Sequence, residues 1–216
     1  MPKVEAVKLL SSRSERVEVR LDDGSERVLA AEVVQRAGLR RGDEVTAHRL
    51  LEIEREDLAW RARDAAFHLL SYRARTRVEL ARRLAAKDFP EDVVERCLDE
   101  LRERGFIDDH AFSASFARDR VRGKPKGARL IARELRARGV EPEVADRAVG
   151  EVMSTDSLSE LELARRAARG WKPRPNEDGI RARRRLYGFL ARRGFTGEVI
   201  RAVMDEHLGT DDAPLY

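Results

Sequence analysis

The chain has 216 residues, 44 basic and 40 acidic, with a formal net charge of +4 and a mean hydropathy of −0.58. That length can bury about 70 % of the unfolded surface and so sustains a fold without metal or disulfide support, while the single cysteine, Cys97, excludes an internal disulfide and fits a reducing compartment. No apolar run approaches the roughly 20 residues of a membrane-spanning helix, and Met1-Pro2-Lys3-Val4-Glu5 opens no signal-peptide block, so a cytoplasmic protein without a membrane partner is expected.

The first segment reads as strands. Val17, Val19 and Leu21 alternate with Glu18, Arg20 and Asp22, and Asp23-Gly24 supplies a hairpin turn into Glu26–Leu29. Further strands are expected at Val4–Leu10 and Val45–Ile53, with a short helix over Ala31–Ala37 ended by Gly38. A β-rich domain of residues 1–55 is too small to be stable alone and is expected to lean on a first helix starting near Glu56.

The rest repeats. Residues 76–100, 127–151 and 182–206 superimpose without a gap, at spacings of 51 residues from Leu84 to Leu135 and 55 from Leu135 to Leu190. Matched anchors are Leu80/Ile131/Leu186, Phe89/Val140/Phe195, Val93/Val144/Val199, Cys97/Ala148/Val203 and Leu98/Val149/Met204. Cys97 therefore reads as a small core residue. In each copy a short link, Lys87-Asp88-Phe89, Arg138-Gly139-Val140 or Arg193-Gly194-Phe195, carries a residue able to end a helix in the left-handed region.

Upstream helical stretches at Asp57–Tyr72, Asp109–Val121 and Ser157–Arg169 complete three three-helix units. The expected fold is mainly α: a tandem array of three three-helix repeats, 56–107, 108–153 and 154–216, preceded by the small β-rich N-terminal domain. Asp108-Asp109 is placed to cap the helix that follows, Gly123-Lys124-Pro125-Lys126-Gly127 is a basic loop without the phosphate-loop pattern, and Gly170–Asp178 is an exposed, mobile inner loop of the third repeat.

Charge is unevenly spread. Nine basic residues from Arg118 to Arg138 face only Asp119 and Glu134, and six from Arg181 to Arg193 face no acid. At about 100° per residue, with Ile131 at zero, Arg129, Arg133 and Arg136 fall at roughly 140° to 200°, opposite the core. Arg181, Arg184 and Arg192 point outward in the third repeat, and Arg75 and Arg82 are the only counterparts in the first. A solvated helix face would look similar, but Glu134 alone cannot neutralise the second stripe by i,i+4 pairing. Trp60 and Trp171 read as packing residues. His48, His68, His110 and His207 are scattered, and no residue set suggests catalysis, a metal or a cofactor.

Tyr72-Arg73-Ala74-Arg75-Thr76 with Glu79-Leu80 and Leu84, then Leu101 and Gly105-Phe106-Ile107-Asp108-Asp109 with Phe112, then Lys124-Pro125-Lys126-Gly127 with Ile131, Glu134-Leu135 and Gly139-Val140, resemble the RecX family. The resemblance runs from about Arg61 to Gly150, reaches the third repeat through the repeat pattern, and likens the first domain to an extension found on some members. It implies a non-enzymatic regulator that lies in the groove of the RecA filament on single-stranded DNA. There it limits filament growth or promotes disassembly, lowering ATP hydrolysis, strand exchange and repressor cleavage in recombination, DNA repair and the SOS response.

The expected contact surface to the RecA filament or its DNA is Lys124, Lys126, Arg129, Arg133 and Arg136, helped by Arg75, Arg82, Arg118, Arg181, Arg184 and Arg185. DNA binding alone should be weak, and a monomer is expected because no heptad seam is visible. The competing reading is an autonomous helix-turn-helix-like binder of duplex DNA; a nuclease would need clustered acids. The acidic tail, Asp205-Glu206 with Asp211-Asp212, either frays or covers a neighbouring arginine face.

Overall fold

In the computed structural model of the chain, residues 1–11 and 15–209 are described; the Asp211-Asp212 pair lies outside them. Strands β1 (Val4–Leu9), β2 (Arg16–Leu21) and β3 (Glu26–Ala30) form an antiparallel meander in chain order, with Val19 paired to Val7 on one side and Arg27 on the other. Alternation along β2 puts Val17, Val19 and Leu21 in a core completed by Leu29, Val33, Val34 and Ile53. Helix α1 (Ala31–Ala37) ends at Gly38, whose φ of 69° lets two backbone N–H groups return to the last carbonyls.

The expected strand over Val45–Ile53 is helix from Ala47 onward. Helix α2 runs from Ala47 to Tyr72, so residue 55 falls inside it. Thr46 starts the helix by accepting the Arg49 N–H at 3.1 Å, and Leu50 and Ile53 then share the face turned to the sheet. Asp57, one turn further on and 5 % exposed, accepts the Ala30 N–H at 2.6 Å and pairs with Arg16 at 2.8 Å. A buried carboxylate with two such donors fixes the sheet on α2. The sheet does lean on this helix, as expected.

Helices α3 (Arg77–Ala85) and α4 (Glu91–Glu103) complete the first repeat. The chain divides into two compact units, and the division runs through α3: Met1–Ala74 with Leu80–Phe106 form the first, Arg75–Glu79 with Ile107 onward the second. In the first, α2 packs on α4, and Arg63 on α2 reaches Glu100 on α4 at 3.1 Å. Cys97 is 4 % exposed, and burial with the nearby Glu100 charge pushes its thiol up to about 11. It is a core side chain, as its place in the repeat indicates.

The second unit holds α5 (Asp109–Arg122), α6 (Ala128–Arg136), α7 (Pro142–Thr155), α8 (Glu160–Ala168), α9 (Gly179–Arg192) and α10 (Gly197–Leu208). One continuous core, including Ile131, Leu135, Leu163, Leu186, Leu190 and Ile200, serves the second and third repeats. Asp108 caps α5, accepting the Ala111 N–H at 2.9 Å. Asp109 caps a different helix: it accepts the Arg77 N–H at 3.0 Å, at the start of α3.

The helix-ending links behave alike in all three repeats, with Asp88, Gly139 and Gly194 at φ of 62°, 84° and 82°. A second regularity links consecutive repeats. Thr76 donates its hydroxyl to the Arg138 carbonyl at 2.7 Å, and Gly127 donates its N–H to the Arg193 carbonyl at 2.8 Å. Thr76 and Gly127 are equivalent positions, as are Arg138 and Arg193, so the same carbonyl is bonded in both places, by a hydroxyl in one and a backbone N–H in the other. Beside it, a glycine meets the preceding helix: a Cβ on Gly139 would overlap Val78, and one on Gly194 would overlap Leu130.

Candidate basic interface of the second and third repeats

Helix α6 is buried on two sides. Ile131 and Leu135 face α5 and α7, while Leu130, 9 % exposed, is pressed against Gly194 of the third repeat. This contact makes Leu130 a ridge between two depressions. On one side lies a groove of about 780 Å³ along α6 and α7, closed at one end by Ala191, Gly194 and Phe195 and rimmed by Arg129, Arg133 and Arg136. On the other is a depression of about 350 Å³ lined by Lys124, Lys126, Phe189, Arg192 and Arg193 around Glu134.

The expected site residues divide by what they touch. Arg118, Lys124, Arg129, Arg133, Arg181 and Arg184 are exposed, with no carboxylate at ion-pair distance among the described residues. Arg136 is exposed but pairs with Asp146 of α7 at 2.7 Å. Lys126 is half-buried and pairs with Glu134, which also accepts from Arg120 at 3.1 Å. The stripe is thus partly neutralised, Arg136 by Asp146 of another helix and the loop residue Lys126 by Glu134 of α6, neither at i,i+4 spacing.

Arg185 is engaged within the fold. Its guanidinium binds Glu177 at 2.9 Å and the Lys172 carbonyl at 2.7 Å, and lies 4.4 Å from the centre of the Trp171 ring. It thereby ties the Gly170–Asp178 loop to α9. Arg75 is half-buried at the α3 start in the second unit, and Arg82 is exposed on α3 in the first. In the acidic tail, Asp205 pairs with the buried Arg183 at 2.7 Å and Glu206 with Arg165 at 2.8 Å.

Arg192 and Arg193 complete the second depression, and only the fold shows that they stand beside Lys124 and Lys126. Arg193 lies 4.1 Å from the Phe189 ring centre, and its Nε is buried without a hydrogen-bond partner. Two carboxyl groups respond oppositely to this environment. Burial raises Glu160 above the ordinary carboxylate range, only partly offset by the Arg129 charge. Burial acts the same way on Glu134, but hydrogen bonds from Lys126 and Arg120, with their charges, outweigh it and hold the group below its ordinary value.

Because the folded pKa of Glu134 is depressed, its contribution is fully present above the unfolded value of 4.5 and is lost as pH falls through the folded value. Glu134→Gln should cost about 1 kcal/mol near neutral pH. Urea melts of wild type and variant as a function of pH should converge in acid, once pH has fallen through the depressed folded value. A difference that persists unchanged into acid would remove the charge-based account.

These helices define a class: tandem three-helix repeats joined junction by junction, with cations concentrated along the second and third. Family models for the first, second and third three-helix domains of RecX match residues 62–101, 108–149 and 159–204. The chain belongs to the RecX family. It is 36 % identical over 155 residues to "Regulatory protein RecX" of Mycolicibacterium smegmatis, covering 69 % of this chain and 81 % of that one. With the protein of the same name from Corynebacterium efficiens it is 35 % identical over 176 residues, covering 78 % and 84 %.

A solved structure titled "Crystal structure of regulatory protein RecX" aligns at a TM-score of 0.72 and 26 % identity over 95 % of this chain and 100 % of that one. The RecX of Lactobacillus salivarius shares the fold at a TM-score of 0.58 over 70 % of this chain. Among the described residues, no helix is long and apolar enough to cross a membrane.

Proposed function

We propose that this protein regulates the RecA recombinase by binding in the groove of the RecA filament on single-stranded DNA, where it limits extension or promotes disassembly. It does so as a cytoplasmic monomer without a cofactor. Filament ATP hydrolysis, strand exchange and co-protease activity fall as a result. Family membership supports the class of function. The observation that carries the mechanism is the group of exposed cations on α6 and α9, Arg129, Arg133, Arg181 and Arg184, with no ion-pair partner among the described residues.

Such a surface acts by differential affinity alone: a ligand that binds one filament state better than another shifts the population toward it, and no bond need be broken. Its charge also accelerates encounter with a polyanionic assembly.

Titrating the protein into RecA on single-stranded DNA, with ATP hydrolysis as readout, tests this reading. A progressive fall at ratios well below one protein per RecA is expected. Unchanged hydrolysis together with tight, sequence-preferring duplex binding by the protein alone would replace it with the autonomous DNA-binding reading.

A further inference from the structure

The groove beside α6 differs from the other depression in chemistry. Its floor is aliphatic: Leu130, Ala132 and Val149 are at most 9 % exposed, and Met153 is half-buried beside them. Along one rim stand Arg129, Arg133 and Arg136, at i, i+4 and i+7 on α6, a span of about 10 Å of helix axis. An apolar floor under a cationic rim selects an occupant that has both an apolar face and negative charge beside it.

Phosphodiester strands match the rim but not the floor. Single-stranded nucleic acid is held by exposed aromatic faces on which bases stack, and the one aromatic side chain lining this groove, Phe195, is 6 % exposed. Asp146 on the α7 side is already paired with Arg136 at 2.7 Å, which leaves Arg129 and Arg133 to meet the charge of an occupant. A protein helix matches both. Apolar side chains at helical spacing would enter the floor, and acids on the flank would meet arginines that recur at the same period. Met153 supplies an adaptable surface for such packing.

One more feature keeps the groove open. Gly150, inside α7 and on the groove wall, has no positive φ, and a Cβ added there would meet no atom within 4 Å. A helix-interior glycine costs about 1 kcal/mol relative to alanine, and neither local conformation nor packing requires it here. Its effect is to leave the wall bare.

We infer that the groove between α6, α7 and the link from α9 to α10 is a docking site for an acidic amphipathic helix of a partner protein. The inference deepens the regulatory reading by giving the class of partner element, yet it stands on the groove's own chemistry. The test separates the two. Gly150→Phe adds a side chain where its Cβ meets no atom within 4 Å, keeps every arginine, and should leave the melting temperature at or above wild type.

The probe is a fluorescein-labelled synthetic peptide with Leu and Phe at i, i+3, i+4 and i+7 and Glu on the flanking positions, read by anisotropy against full-length protein. Binding by wild type and at least a tenfold loss in Gly150→Phe are expected, with similar loss in Arg129→Ala/Arg133→Ala. No binding by wild type, or equal binding by the plugged variant, overturns the inference. So does displacement of the peptide by an oligothymidylate whose own binding falls with Gly150→Phe, because nucleic acid would then be the occupant. The regulatory reading is judged separately by RecA ATP hydrolysis: inhibition retained by Gly150→Phe would sink the groove and leave the regulator standing.

Discussion

Gly194→Ala should destabilise the second unit by about 2–5 kcal/mol, the sum of forcing a side chain into the left-handed region and overpacking a closed contact. Gly194 sits at φ 82°, and its added Cβ would overlap Leu130 Cβ and stand 2.9 Å from the Leu130 backbone nitrogen. Leu130 cannot retreat, because Ile131 and Leu135 on the same helix are fully buried on its other side. The hydrogen bond from Gly127 to the Arg193 carbonyl lies next to the clash and would lengthen with it.

Gly105→Ala is the comparator. Its φ of 74° is similar, but nothing lies within 4 Å of its added Cβ, so only the backbone cost of about 1–2 kcal/mol should appear. Urea denaturation of both variants, followed by circular dichroism, measures the difference. Equal losses would show that the close approach between repeats contributes nothing. A large loss at 194 alone means that the junction is set by contact, and that a glycine is needed where one repeat's turn meets the helix before it.

The repeat was legible because its code is local. Apolar anchors at helical spacing and a left-handed-tolerant residue between helices define each pair, and Asp88, Gly139 and Gly194 adopt the expected conformation. The segment Val45–Ile53 misled because a short apolar run fits both periods. The signal that decides it was present: Thr46 is an N-cap residue, and Leu50, Ile53 and Asp57 then fall on one helical face. Asp57 itself, far in sequence from its partners Arg16 and Ala30, could be recognised only in the fold.

The exposure of the basic surface was legible for the same reason, and its intramolecular pairing was not. Helical angles place Arg129, Arg133 and Arg136 outward, and all three are exposed. They do not show that Asp146 takes Arg136, that Glu134 takes Lys126, or that Glu177 and Trp171 take Arg185. Nor do they bring Arg192 and Arg193 to Lys124. Charge counted along a helix measures supply. Which cations stay available depends on acids that tertiary structure delivers.

That distinction sharpens the second large expected effect. Arg129→Glu/Arg133→Glu should abolish inhibition of RecA ATP hydrolysis, raising the protein concentration needed for half-inhibition by tenfold or more, while helicity stays unchanged. Two reversals replace two attractive charges with two repulsive ones at a surface proposed to meet an acidic element, and close charge pairs across interfaces are worth about 1.5–7 kcal/mol in coupling. Their stability cost should be small, because neither arginine has an ion pair among the described residues to lose, although the carboxylate introduced at position 129 would stand near Glu160, whose own carboxyl is already raised by burial. Arg133→Glu alone avoids that repulsion and should retain most of the loss of inhibition. Arg185→Ala should do the reverse, since removing it frees Glu177, the Lys172 carbonyl and the Trp171 face. The expected result is a lower melting temperature with inhibition per folded molecule preserved. If the double reversal still inhibits, the contact surface lies elsewhere on the repeats; if Arg185→Ala loses inhibition without loss of stability, that arginine is a contact residue and not a clamp.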